Sequence, residues 1–334
     1  MQLVPLGRTG VRIGALAFGT MSFGGDADEA TSAALYSACR DAGVTFFDCA
    51  DVYGRGRAER ILGPLVAPHR DEVVLATKAY FPMADGPNDR GSSRYHLVRA
   101  VEGSLRRLGT DRVDVLFLHR FDDATPLEAS LRALEDLVRS GKVLYPAVSN
   151  FAAWQTARAL GHAERHGWQP LAAVQPMYNL VKRQAEVEIL PMAQAEGLAV
   201  LPYSPLGGGL LTGKYGRARR PEAGRLVDNA MYATRYGAAS DYETAEAFGA
   251  LAEELGVHPV TLAVAWVARH PAVTAPLLGA RDVEQLAPAL AAADLVMDDA
   301  LYARVAALSP TPPPATDRNE EGTRADYASL LGKK

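Results

Sequence analysis

The stretch Thr45-Phe46-Phe47-Asp48-Cys49-Ala50-Asp51-Val52-Tyr53-Gly54 is a short apolar run that stops on an acid and leads, through a turn, to a tyrosine. Two later runs end in the same manner: Val73 to Thr77 is followed by Lys78, and Val113 to Leu118 by His119. A lysine that directly continues a buried strand must be paired or carry an altered pKa. Taken singly, Asp48 reads better as a turn or helix cap than as a catalytic acid, and Tyr53 as a core or surface residue. Taken together, on consecutive strand ends, an acid, a phenol, an amine and an imidazole form a set only if those ends converge.

The rest of the chain supplies the convergence. Strand candidates are Ala15 to Phe18, Thr45 to Asp48, Val73 to Thr77, Val113 to Leu118, Val143 to Val148, Ala173 to Gln175, Ala199 to Tyr203 and Val273 to Leu278. Between them, Glu29 to Asp41, Tyr95 to Leu108, Leu127 to Arg139, Trp154 to His166 and Val187 to Glu196 repeat apolar residues every three to four positions, the helical period. Strand alternating with helix predicts a parallel α/β architecture, and eight units predict closure into a (β/α)8 TIM barrel. Gln2 to Leu6 and Val11 to Ile13 predict an N-terminal β-hairpin closing the barrel floor. Leu206 to Asp241 predicts a long loop after strand 7. Two helices, Glu243 to Leu255 and Pro259 to Arg269, then lead to the last strand, and Val283 to Ala291 and Asp299 to Leu308 are two extra C-terminal helices. A single domain is expected over residues 1–315, with 316–334 a polar C-terminal tail, mobile or draped on the surface.

Composition narrows the function classes. With 48% hydrophobic and 22% charged residues the chain can bury a substantial core. A net charge of -4 without a long Lys or Arg run offers nucleic acid no electrostatic footprint. No apolar stretch approaches the ~18 residues of a membrane span, and Met1 to Gly10 lacks the apolar core of a signal peptide. Cys39 and Cys49 are the only cysteines, so no disulfide framework is implied and a cytoplasmic location is expected. The His and Cys spacings suggest no zinc pattern, and no metal is expected.

In Asp48 to Gly54, Thr77-Lys78 and Leu118-His119, together with Phe18-Gly19-Thr20-Met21, Ser149-Asn150-Phe151, Val174-Gln175-Pro176, Tyr203-Ser204-Pro205-Leu206, Leu211-Thr212-Gly213-Lys214-Tyr215 and Gly279-Ala280-Arg281, the chain resembles the aldo-keto reductase superfamily. The likeness runs from about Gln2 to Leu308 and is nearest to the long-loop branch with potassium-channel β-subunit-like and bacterial sugar-active members. It implies an NADP-dependent reductase of aldehydes, ketones or keto sugars, with Asp48, Tyr53, Lys78 and His119 catalytic. Tyr53 would be the general acid, its phenol pKa lowered by Lys78; Asp48 would hold Lys78 charged, and His119 would orient the substrate oxygen.

The same resemblance implies the cofactor residues. Ser149, Asn150 and Gln175 would hold the carboxamide and Tyr203 would stack on the nicotinamide, with Gly19, Thr20, Met21, Asp48, Arg225 and Gly279 also at the cofactor. Gly208 to Lys214 nearly spells a P-loop, but Tyr215 stands where a magnesium-binding Ser or Thr is required. It is read instead as backbone amides around a pyrophosphate, with Ser204, Leu206, Gly208 and Lys214. Gly54-Arg55-Gly56 lacks the third glycine of a dinucleotide fingerprint. Arg281 would meet a 2′-phosphate, favouring NADPH (NADP+) with NADH as the alternative, and Gln285 would reach the adenosine ribose or phosphate. Two departures stand out: Pro288-Ala289 replaces a Glu-Asn pair common in the family, and Tyr145-Pro146 replaces an Ile-Gly. Met21, Phe23, Tyr53, Tyr80, Phe81, Arg120 and Phe121 are expected around the substrate. Two other readings stay open: an NAD-linked sugar dehydrogenase working oxidatively, and a cofactor-loaded redox-sensing subunit.

Overall fold

A computed structural model describes residues 1–317. A hairpin of β1 (Leu3–Pro5) and β2 (Arg12–Gly14) precedes eight parallel strands: β3 (Ala17–Gly19), β4 (Phe46–Asp48), β5 (Val74–Ala79), β6 (Val113–Leu118), β7 (Val143–Ser149), β8 (Ala173–Gln175), β9 (Ala199–Val200) and β10 (Leu277–Leu278). Their order in the sheet is β10-β3-β4-β5-β6-β7-β8-β9. The ring is closed by backbone bonds from Thr274 N–H to Val200 O (2.9 Å) and from Leu277 N–H to Pro202 O (2.9 Å). The predicted TIM barrel is therefore the fold.

Alternation along each strand separates two cores, because successive side chains of a strand face opposite ways. Ala17, Phe46, Ala76, Val115, Phe117, Ala147, Ala173, Ala199 and Leu277 fill the barrel, and Leu6 and Ile13 of the hairpin join them from the floor. The repeated alanines keep a narrow interior filled. Phe18, Phe47, Leu75, Leu116 and Val148 face outward against the helices. Those helices are defined by their ends as well as by their apolar stripes. Asp28, Ser93, Asp282 and Asp298 cap N-termini with side-chain oxygens, and Gly109, Gly167 and Gly197 end helices in the left-handed conformation.

Three expectations change. A helix over Arg57–Val66, absent from the periodicity reading, follows Tyr53; Gly54-Arg55-Gly56 before it looks like a loop, and Pro64 lies within it. Leu206 to Asp241 is not structureless: it holds short helices at Arg225–Asp228 and Ala230–Arg235, and the following helix starts early, at Ala239. Apart from Thr316 and Asp317, the expected tail lies outside the described residues. Among those described, no single helix is long and apolar enough to cross a membrane. The apolar helix Pro259–Arg269, which passes such a test only jointly with the bent Ala239–Glu254, buries Val260 to Val267 in the protein core.

Candidate active site

Asp48 is the last residue of β4, Lys78 the penultimate residue of β5, and His119 follows β6 directly. Phe46 and Ala76 belong to the barrel interior, so Asp48 and Lys78, two residues further on, point inward as well. Tyr53 is brought over them by a tight turn in which Gly54, Arg55 and Gly56 all have positive φ. At Gly56 a Cβ would come within 2.5 Å of the Arg107 side chain. Arg55, which has no such licence, is strained, and strain of this kind persists only where the surrounding packing enforces it.

Lys78 is fully buried, and its ammonium meets three acceptors: it pairs with Asp48 Oδ2 and donates to Cys49 O (2.9 Å) and Tyr53 Oη (3.3 Å). All three of its N–H donors thus have partners. Because Tyr53 Oη accepts from Lys78, its own proton is directed elsewhere. Gln175 Nε2 donates to the other Asp48 oxygen (3.1 Å). Burial lowers the Lys78 pKa, but the attraction of Asp48 and Tyr53 outweighs it and the net shift is upward, so the ammonium stays charged. Burial raises Asp48 against the opposing pull of Lys78 and Gln175. Lys78 lowers the Tyr53 phenol as expected, yet burial wins and the pKa is pushed up to about 12, a correction to the lowered value anticipated from sequence. Burial, then Lys78, push His119 down to about 3, so its ring is neutral. That ring meets Tyr53 edge-on at 6.0 Å and Phe81 at 4.9 Å.

The residues expected at a nicotinamide form one network with this set. Ser149 Oγ donates to Gln175 O (2.9 Å), Asn150 Nδ2 donates to His119 O (2.9 Å), and Tyr203 Oη donates to Asn150 Oδ1 (2.7 Å). Asn150 and Ser204 have positive φ, a strained conformation that persists only where the surrounding packing enforces it. Amide and hydroxyl groups beside an exposed-edge aromatic ring suit a carboxamide-bearing ring, so the donor chemistry fits this cofactor. Gly208 has φ +67°, and a Cβ there would meet Tyr232 at 2.8 Å, so the turn Gly207–Thr212 packs against that ring in a manner only glycine permits. Leu206 and Arg225 flank that turn and Lys214 is exposed beyond it. Arg281 is exposed and faces Asp26 at 3.9 Å, Gly279 is exposed at the end of β10, and Gln285 lies in the first turn of Val283–Leu290.

Some expected contacts do not materialise. Phe23 is fully buried against Phe18 and offers no surface to a substrate. Thr20 is also buried, its hydroxyl donating to Asp48 O (3.0 Å), so it braces the site. Tyr80 and Phe81 pack edge-to-face at 5.2 Å, Arg120 and Met21 are exposed, and Phe121 meets Phe151 edge-to-face. Tyr145 packs on the barrel-interior residues, and Pro146 O accepts from Ala172 N–H (2.8 Å). At the other departure, Pro288 O accepts from Thr261 Oγ1 (2.6 Å) and Ala289 is buried, so this segment is packing.

Outside the tetrad the sequence reading missed a second buried polar group set. Glu59 is fully buried, accepting from Thr77 Oγ1 (2.6 Å) and Arg107 Nε (2.6 Å). Asp51 is fully buried and neither carboxylate oxygen has a hydrogen-bond partner among the described residues. An Asp inside an apolar segment was the available sign.

The aldo/keto reductase family model matches residues 15–310. An uncharacterized oxidoreductase of Bacillus subtilis (strain 168) is 40% identical over 324 residues, spanning 93% of this chain and 97% of the relative. A probable voltage-gated potassium channel subunit beta of Oryza sativa subsp. japonica is 38% identical over 303 residues (89% and 92%). A putative aryl-alcohol dehydrogenase of Schizosaccharomyces pombe is 32% identical over 337 residues (88% and 92%). With this match and the barrel-mouth geometry, the chain belongs to the aldo/keto reductase family, whose members carry out nicotinamide-dependent oxidoreduction of small carbonyl compounds.

Proposed function

We propose that the protein reduces an aldehyde or ketone to the alcohol, with Tyr53 delivering the proton to the carbonyl oxygen. The observation that carries this is the bond from Lys78 Nζ to Tyr53 Oη, made by an ammonium already paired with Asp48. That bond leaves the phenol proton free for a substrate, and it places a positive charge beside the tyrosinate that forms as the proton leaves. A phenol held near 12 keeps its proton throughout the neutral range, yet gives it readily to a developing alkoxide. Neutral His119 donates a hydrogen bond to the same oxygen and orients it without adding a second cation beside Lys78. Ser149, Asn150, Gln175 and Tyr203 would hold a nicotinamide, which would supply the hydride when bound. NADPH is the favoured form, with Arg281 on the 2′-phosphate.

The aromatic wall of Tyr80 and Phe81 beside His119, together with the naming of the fission-yeast relative as an aryl-alcohol dehydrogenase, makes aromatic aldehydes the first substrates to test. The test is a panel of aromatic aldehydes, short dicarbonyls and keto sugars with NADPH and NADH, run on the wild type and Tyr53→Phe. Turnover should fall roughly 100- to 10,000-fold in the variant while cofactor binding persists. Undiminished turnover would overturn the role of Tyr53. Cofactor binding without turnover on any member would favour a redox-sensing subunit.

A further inference from the structure

On the outer ring, His162 and His166 occupy successive turns of the helix Ala153–His166, and Glu128 stands in the first turn of the neighbouring helix Leu127–Arg139. The two imidazoles lie parallel, with ring planes 5° apart. Both face one carboxylate: His166 Nε2 is 3.2 Å from Glu128 Oε1 and His162 Nδ1 is 3.9 Å from Glu128 Oε2. Trp168 stacks on His166 at 4.5 Å and 18°, which fixes the ring before anything binds. The three ligand atoms all lie within 4.8 Å of one another.

From this geometry we propose that Glu128, His162 and His166 form a binding site for a divalent transition-metal cation of the zinc class. Donors on one tetrahedral ion at ~2.0–2.1 Å sit about 3.3 Å apart; of the three pairs, Glu128–His166 is already at that spacing, and rotation of the His162 side chain brings its two pairs toward it. Two imidazoles and a carboxylate select zinc, nickel or copper over magnesium or calcium, which demand oxygen ligands. The carboxylate is half-exposed, with side-chain exposures of 52% for Glu128, 16% for His162 and 30% for His166, so the ion has an entry path and water completes its shell. Because the ligands come from two helices, the bound ion clips the outer ring together; it takes no part at the barrel mouth. The expectation of no metal rested on the His and Cys spacings along the chain. The His-x-x-x-His pair was present in the sequence, but its third ligand comes from a different helix.

The experiment titrates the full chain, free of any histidine tag, with zinc alone by calorimetry, and follows thermal melting with zinc and with chelator. One saturable ion per chain and a higher melting temperature with zinc are expected. In His162→Gln/His166→Gln both should vanish while the melting temperature in chelator is retained, and Glu128→Gln should weaken binding about 10- to 100-fold. No saturable binding by the wild type, or binding unchanged in the double variant, would overturn the site.

Discussion

The two faces of β5 carry buried charge in different ways. On the inner face Lys78 meets Asp48, Cys49 O and Tyr53, and every donor of the ammonium is used. On the outer face Thr77 meets Glu59, whose second oxygen is held by Arg107, a residue with 17% of its side chain in solvent. Asp51 lies electrostatically between the two, sensing Glu59, Arg107 and Lys78, and has no hydrogen-bond partner of its own among the described residues. The inner face therefore holds a fixed charge set suited to steadying a transient tyrosinate, and the outer face braces the strand against the helices. Asp51 is the member left free to titrate. Burial and the neighbouring Glu59 raise its carboxyl to about 7 against the opposing charges of Arg107 and Lys78.

The sharpest way to break this contrast is Lys78→Met. It strands a buried Asp48 carboxylate without its cation, a change that costs about 3–5 kcal/mol when no rescue is available. Arg107→Met should cost less, because Glu59 keeps Thr77 and water can approach where Arg107 was. Urea denaturation of both variants measures the difference, and equal losses would erase the distinction between the faces.

Asp51→Asn gives an effect of similar size that depends on pH. Folded Asp51 holds its proton up to about 7, whereas the unfolded residue releases it near the ordinary aspartate value of 3.8. Unfolding between those values releases a proton, so this residue makes the wild type lose stability as pH rises through that window, by about 4 kcal/mol in all, and adds no further slope above it. The variant should melt like the wild type at the acid end of the window and higher at its alkaline end. Parallel curves would show that Asp51 is compensated after all.

The smallest expected effect lies far from β5. Arg281→Ala should narrow the preference for NADPH over NADH by about tenfold, the weight of one exposed charge-assisted contact. Its partner Asp26 is loose and solvated, so the fold should not notice. Unchanged dissociation constants for both cofactors would remove Arg281 from the site.

Much of the molecule was readable before any coordinates. The helices Glu29–Asp41, Leu127–Arg139 and Pro259–Arg269 fall where the sequence places them, because the first two each bury an apolar face and the third is apolar and buried from Val260 to Val267. The convergence of Asp48, Tyr53, Lys78 and His119 follows from eight parallel strands ending at one mouth. Arg57–Val66 was not legible, since positive φ at Gly54-Arg55-Gly56 and an internal Pro64 disguise a helix that packs against its neighbour all the same. Phe23 looked like a mouth residue by its place after β3, but the chain folds it under Phe18.

The sequence by itself determined the architecture, the residue types at the mouth and the order of the segments that reach it, because strand and helix periods and residue identities are local properties. Tertiary structure alone decided how those groups behave. The direction of the Tyr53 shift depends on whether desolvation or Lys78 prevails, and burial is a property of the closed site. The isolation of Asp51, the clasp of Glu59 by Arg107, and the meeting of Glu128 with His162 and His166 arise between segments distant in the chain, where no spacing rule reaches.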